Sequence, residues 1–267
     1  MTMQTDWPAP PKQKKWKLYV GFILLALLYT WAFAGLPLLE IKETFVEIIG
    51  SIIGGIFSPD WGYVYDPAGE DLIRGLLDTL AIALLGTAIA AVFCLPFALL
   101  AARTIMRIKP VSGSSKFVLT FVRVFPEIVL ALLFIKAVGP GAFAGVLALG
   151  IGTIGSLGKL FSEDIETADL AAREALMATG ANHGKTLWFA VLPQVLPSYF
   201  SFVLYRLEIN LRAATVLGVI GAGGIGTPLI FALQTRDWER VGIILLGIIV
   251  MVTIVDIVSG KIRARLT

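Results

Sequence analysis

Cysteine and histidine are almost absent from this chain: Cys94 and His183 are the sole examples in 267 residues. One cysteine excludes an intrachain disulfide and a thiolate cage for a metal. One histidine excludes a histidine cluster and leaves no obvious proton relay. Charge is also scarce, at 15% of residues, against about 25% in an average soluble domain. The basic residues are not interleaved with aromatics on a polar face, so no nucleic-acid partner is expected. Apolar residues fill the gap, at 57% of the chain. Several uncharged apolar stretches run past the ~18 residues that mark a membrane span. The chain reads as an integral membrane protein that contacts lipid, with no metal site.

Residues 1–17 are polar, carry Pro8, Pro10 and Pro11, and end in Lys12, Lys14, Lys15 and Lys17. Residues 18–39 are uncharged to position 39 and long enough to cross. The rival is a signal peptide with Ala32-Phe33-Ala34 as its cleavage site. The long leader and long apolar run favour retention. Residues 40–74 are polar to amphipathic. Within them Ile41, Phe45, Ile48, Ile49, Ile52, Ile53 and Ile56 follow helical spacing, opposite Lys42, Glu43, Glu47 and Ser51. Such a stripe predicts a helix along the membrane surface or packed on the spans.

Further spans are predicted at 76–102, 117–135, 142–158, 195–220 and 239–259. Ala144, Ala148, Gly152 and Ser156 recur every four residues in the fourth span, a small face that lets helices approach closely. The positive-inside rule places both termini, the 103–116 loop and the 159–193 loop on the cytoplasmic side. Six spans satisfy every one of these assignments. Lys136, at the outer end of the third span, runs against the trend.

Charges inside spans are expensive, about 2.5–3.5 kcal/mol each on insertion scales, and seldom face lipid. Arg123 and Glu127 stand at i, i+4 in the third span, and Glu208 and Arg212 share that spacing in the fifth. One reading is two neutralised pairs that join helices. The other is a polar translocation path lined by Arg123, Glu127, Arg206, Glu208, Asn210 and Arg212. Three arginines against two glutamates leave a surplus of one positive charge. Guanidinium favours an anion with phosphate-like oxygens.

Gly221-Ala222-Gly223-Gly224-Ile225-Gly226 matches a dinucleotide fingerprint, but it follows a membrane span rather than a strand. A break at Gly221, Gly223, Gly224 and Gly226 that unwinds the helix, as at a gate, fits better. Gly184-Lys185-Thr186 ends like a phosphate-binding loop, yet Thr179 occupies the place of its first glycine. This chain is not expected to bind ATP there.

The 159–193 stretch carries a more specific pattern. Glu174-Ala175-Leu176, then Gly180-Ala181, then Leu192-Pro193 follow the spacing E-A-A-x3-G-x9-I-x-L-P, with Leu176 and Ala190 departing from it. Residues 168–178 are good helix formers, and Gly180 can supply the left-handed residue that ends a helix. A short helical hairpin is predicted, suited to a groove on another protein.

This pattern resembles the cytoplasmic loop of permease subunits of bacterial ABC importers. The segments 205–212, 214–218 and 221–226, with Arg123–Glu127, are similar to the phosphonate ABC transporter permease subfamily. The resemblance runs from about Leu72 to Arg265. It implies an all-α membrane fold of six transmembrane helices: a type I importer core plus an N-terminal span and an outer amphipathic helix. Its division is a cytoplasmic tail at 1–17, a first span at 18–39 and a periplasmic loop at 40–74. The core follows at 75–262, with a coupling loop at 159–193, and a cytoplasmic tail at 263–267. The resemblance further implies a homodimer in the bacterial inner membrane and two copies of a separate ATPase, which holds the ATP and Mg. It also implies a periplasmic or lipid-anchored binding protein for phosphonate, phosphite or phosphate. Docking of the ATPase falls to Glu174, Ala175, Leu176, Gly180, Ala181, Leu192 and Pro193. No catalytic residue and no cofactor are expected in this chain. The alternative is an ion-coupled secondary transporter or channel for a small anion, acting without an ATPase; repeat symmetry that would support it is not detected.

Overall fold

A computed structural model of the chain describes residues 15–34, 45–67, 69–106 and 108–266, and among them there is no strand. The tail before residue 15, the end of the first expected span at 35–39, and Ile41, Lys42 and Glu43 lie outside the described residues. Two units divide at Ile49 and Gly50. The first holds α1 (Trp16–Ala34), a mostly apolar helix whose 19 residues are all exposed, and the start of α2 (Phe45–Phe57). At 1.5 Å per residue α1 is about 28 Å long, close to the thickness of a bilayer core.

The second unit is a helical bundle. α3 (Leu72–Ala101) begins where the Asp71 carboxylate accepts from the Arg74 backbone N–H at 2.7 Å, and it runs through Pro96. α4 (Lys109–Val124) and α5 (Glu127–Val138) follow, then α6 (Ala142–Thr167). α6 is the central helix, packed by α3, α4, α5 and α9, and it buries Leu149, Leu157, Phe161 and Ile165. Its glycines allow this. A Cβ on Gly155 would stand 2.6 Å from the Arg123 nitrogen and 2.7 Å from the Leu119 carbonyl oxygen, so α4 lies on bare backbone. Of the predicted small face, Ala144, Ala148 and Gly152 are buried, while Ser156 is half-buried.

α7 (Leu170–Ala178) and the one-turn α8 (His183–Thr186) follow α6, and a π-helical turn (Leu187–Val191) leads into α9 (Leu192–Val219). α10 (Gly226–Thr235) is short, and α11 (Trp238–Arg263) closes the bundle. Outward faces stay apolar: Leu84, Leu85, Val92 and Phe93 on α3 and Ile249, Val250, Ile254 and Ile257 on α11 are exposed. Lipid is the solvent that makes such faces stable.

Five helices are long and apolar enough to cross a membrane, and α4 with α5 makes a sixth span if the bent pair counts as one. Here the sequence expectation is corrected. The 117–135 segment is no single helix, because α4 and α5 meet at 85°. Pro126 is the cause. It forces Phe125 out of helical geometry, to φ −67° and ψ 125°, and cannot donate its own nitrogen to the ladder. Span limits shift as well: α6 continues past Gly158 to Thr167, and the helix of the fifth span starts at His183, ahead of residue 195.

Candidate functional site

Two regions carry polar chemistry that packing alone does not require. The first is the hairpin of α7 and α8. Asp169 caps α7 by accepting from the Ala171 N–H at 2.9 Å, and Asn182 caps α8 by accepting from the Lys185 N–H at 2.9 Å. α7 ends at Gly180, whose φ of +83° suits glycine. There Gly180 N–H donates to the Met177 carbonyl at 3.0 Å and Ala181 N–H to the Leu176 carbonyl at 3.2 Å. This is the double bond pattern of a glycine helix stop.

Of the predicted docking residues, Glu174, Ala175, Gly180 and Pro193 are exposed, while Leu176, Ala181 and Leu192 are half-buried. Pro193 continues a helix, in the first turn of α9, where its missing N–H costs little. The hairpin is tied to the bundle at two places. Arg173 Nη1 donates to the Thr104 carbonyl at 2.5 Å, and the Gln194 amide accepts from the Asp169 N–H at 3.0 Å.

The second region is the break between α4 and α5. Glu127 opens α5, and Arg206 of α9 lies 3.5 Å from its carboxylate, with the Arg206 side chain only 12% exposed. The Arg206 Nε–H is buried with no hydrogen-bond partner among the described residues. Arg123, exposed at the end of α4, makes no ion pair among the described residues, and its charge acts on Arg206. Two guanidiniums against one carboxylate leave the break positive. That is a setting for an oxyanion.

The expected i, i+4 pairs are not formed. Arg123 and Glu127 sit on different helices across the 85° bend. Glu208 turns to Arg263 of α11 at 2.5 Å, and Arg212 to Asp256 of α11 at 3.4 Å. Both pairs join α9 to α11, because cross-helix partners lie nearer than the next turn of the same helix.

Asn210 of α9 lies inside the bundle. It is fully buried, donates to Thr87 Oγ1 at 2.8 Å and accepts from Thr153 Oγ1 at 3.0 Å. These bonds clamp α3, α6 and α9 together. The sequence reading passes over Asp256 and Arg263, although Asp256 is the one charged residue of the 241–258 run and is legible there.

The glycine segment is a compact turn between α9 and α10. Gly221, Gly223 and Gly224 take φ of +98°, +83° and +76°. Thr79 Oγ1 of α3 accepts from the Ile225 N–H at 2.8 Å and holds the turn. Gly226 is buried, and a Cβ there would stand 2.2 Å from the Thr215 carbonyl oxygen.

Residues 94–267 match the family described as binding-protein-dependent transport system inner membrane components. The chain is 42% identical over 243 residues to the phosphite transport system permease protein PtxC of Stutzerimonas stutzeri, covering 91% of this chain and 85% of that one. It is 40% identical over 198 residues to the phosphate-import permease protein PhnE of Mycolicibacterium smegmatis, covering 74% of this chain but 37% of that longer one. Its fold is similar to a solved inward-facing MetNI methionine ABC transporter, with a TM-score of 0.64 and 20% identity over 73% of this chain and 96% of that one. The all-helical bundle, its broken third span and its protruding hairpin therefore belong to a transport subunit, and the chain is a member of the binding-protein-dependent transport system inner membrane component family.

Proposed function

We propose that this chain is the membrane subunit of an ATP-driven importer for phosphite, phosphonate or a related phosphorus oxyanion. The observation that carries the reading is the hairpin of α7 and α8. It presents Glu174 and Ala175 outward, yet it is anchored to the bundle through Arg173 and Gln194. A projection that is both exposed and rigidly tied can pass a push from a partner into the spans.

In this mechanism two copies of the chain pair, and two ATPases bind ATP with Mg and dock on the 163–186 hairpins. Closure of the ATPases moves the hairpins and opens the core outward. A periplasmic or lipid-anchored binding protein delivers the anion, and hydrolysis resets the inward state. The positive-inside pattern supports cytoplasmic termini and a cytoplasmic hairpin, in a bacterial inner membrane. The relatives' phosphite and phosphate transport supports the substrate class. Arg123 and Arg206 supply the positive field such an anion requires, with Glu127 as the resident counter-charge. The glycine turn at 221–226 serves as the gate.

The test is co-purification of the tagged chain from mild detergent with its partner ATPase in one-to-one amounts. The reconstituted complex should then hydrolyse ATP faster when phosphite-loaded binding protein is added. A chain recovered alone that still carries phosphite in liposomes would overturn the reading and favour a self-sufficient transporter.

A further inference from the structure

The start of α3, the turn at Trp61–Val64 and the start of α10 enclose a polar pocket of about 330 Å³. Tyr63, Glu70, Asp71, Arg74, Asp78 and Thr227 line it. Arg74 and Asp78 lie on α3, and Asp71 caps its start, at i, i+3 and i+7. Three carboxylates face one guanidinium, and that guanidinium is already engaged. Arg74 Nη1 donates to the Gly69 carbonyl at 2.9 Å, and its Nε lies 3.6 Å from Asp71 Oδ2. Arg240 stacks on the Tyr63 ring at 4.3 Å, outside the lining, and counting it still leaves a net negative charge.

Two deeply buried side chains in this wall each leave one polar atom without a hydrogen bond among the described residues. Tyr63 is 5% exposed and its hydroxyl has no partner; Asp71 is 2% exposed and its Oδ2 accepts none. Burial pushes the Tyr63 phenol up, against the lowering effect of Arg240, so the hydroxyl stays protonated and neutral. Native structures rarely leave such groups unmet. Glu70 and Asp78 are exposed and form no ion pair among the described residues. The missing complement is a cationic N–H donor. No group of acidic residues among the described ones is arranged to hold a metal ion.

Position selects the source of that donor. α3 has 30 residues, about 45 Å from end to end. The pocket lies at its first residues, while the Thr104 anchor of the hairpin lies just past its last. The pocket is thus on the face opposite the ATPase side, where the proposed binding protein arrives. We infer that this pocket is the socket for a lysine or arginine side chain of the substrate-binding partner. The inference rests on the importer reading above.

The test uses the complete transporter in nanodiscs and its phosphite-loaded binding protein. Glu70→Gln with Asp78→Asn should weaken docking about tenfold at low salt and flatten its salt dependence, chiefly through slower association. Tyr63→Phe should weaken docking several-fold without lowering thermal stability, since it removes an unpartnered hydroxyl. One lysine or arginine on the binding protein, changed to glutamate, should lose affinity and become insensitive to Asp78→Asn. Unchanged affinity and salt dependence in both permease variants overturn the inference, as does loss of stability in Tyr63→Phe with docking intact. Docking that responds to added ammonium or guanidinium ions, with no coupled residue on the binding protein, assigns the pocket to a free cation and also overturns it. Failure of the chain to assemble with an ATPase at all is separate and defeats the importer reading itself.

Discussion

The Arg173 guanidinium of α7 donates to the Thr104 carbonyl at 2.5 Å, linking the exposed hairpin to the segment that joins α3 and α4. Nearby, Glu166 accepts from the Arg103 N–H at 2.7 Å and from Lys116 Nζ at 2.8 Å. The ends of α3 and α6 and the middle of α4 therefore meet in one polar knot beneath the hairpin. Arg173→Ala should leave ATPase association intact but reduce phosphite carried per ATP hydrolysed. A coupling of this kind is worth about fivefold or more. Uptake and hydrolysis measured together in liposomes check it, and an unchanged ratio would show that the knot only supports the fold.

Glu174 faces outward on α7, with no ion pair among the described residues. Reversing its charge leaves packing alone and alters only what a partner meets. Glu174→Arg should cut recovery of the ATPase in pull-downs by roughly tenfold, as for a charge within an interface. Normal recovery and normal uptake would place the docking surface elsewhere.

The hairpin was legible in the sequence because its determinants are local: a helix-forming run, a glycine stop, an asparagine cap. The six-span count and the helical class were legible from hydropathy for the same reason. The pairings of the charged residues were not. Arg123 and Glu127 share helical spacing, but Pro126 between them bends the chain by 85° and sends Glu127 to Arg206, 79 positions away. Glu208 finds Arg263 and Arg212 finds Asp256 because α9 and α11 run side by side, a fact no local pattern records. Asn210 reads from the sequence as a path residue because it is polar in a span. Its burial depends on two threonines supplied by other helices.

That buried triad makes a stability prediction. Asn210→Leu should remove the bonds to Thr87 and Thr153 and lower stability by about 1–2 kcal/mol, the range for interhelical hydrogen bonds in membranes. Thr87 can fall back on its own helix, since it already donates to the Ala83 carbonyl at 2.7 Å. Thermal unfolding in detergent should shift while the phosphite dependence of ATP hydrolysis stays the same. A changed substrate dependence would return Asn210 to the path.

Arg206 and Glu127 separate a structural pair from a path. Arg206→Ala leaves a half-buried carboxylate without its cation and removes a charged donor from the break. Uptake should fall on the order of tenfold or more, as for a lost charged hydrogen bond. Arg206→Ala with Glu127→Gln removes both charges, so folding and assembly should recover. If uptake recovers too, the pair serves only to join α5 to α9. If assembly returns without uptake, Arg206 acts on the anion.

Gly224 tests the turn at the proposed gate. Its φ is +76°, and a Cβ there would lie 2.6 Å from Thr79 Oγ1. Gly224→Ala thus meets two penalties: backbone strain of about 1–3 kcal/mol, and a clash that drives Thr79 away from the Ile225 N–H it now accepts. Gly260 of α11 is the control, since nothing lies within 4 Å of a Cβ built there. Gly260→Ala should be neutral or stabilising by roughly 0.5–1 kcal/mol, as for alanine replacing glycine inside a helix. Thermal unfolding of the two variants should move in opposite directions or differ by several degrees. A Gly224→Ala protein as stable as the parent would mean that the turn changes shape at little cost. Conducting such a change is what a gate requires, so that outcome would shift the role of Gly224 from holding one conformation to permitting two.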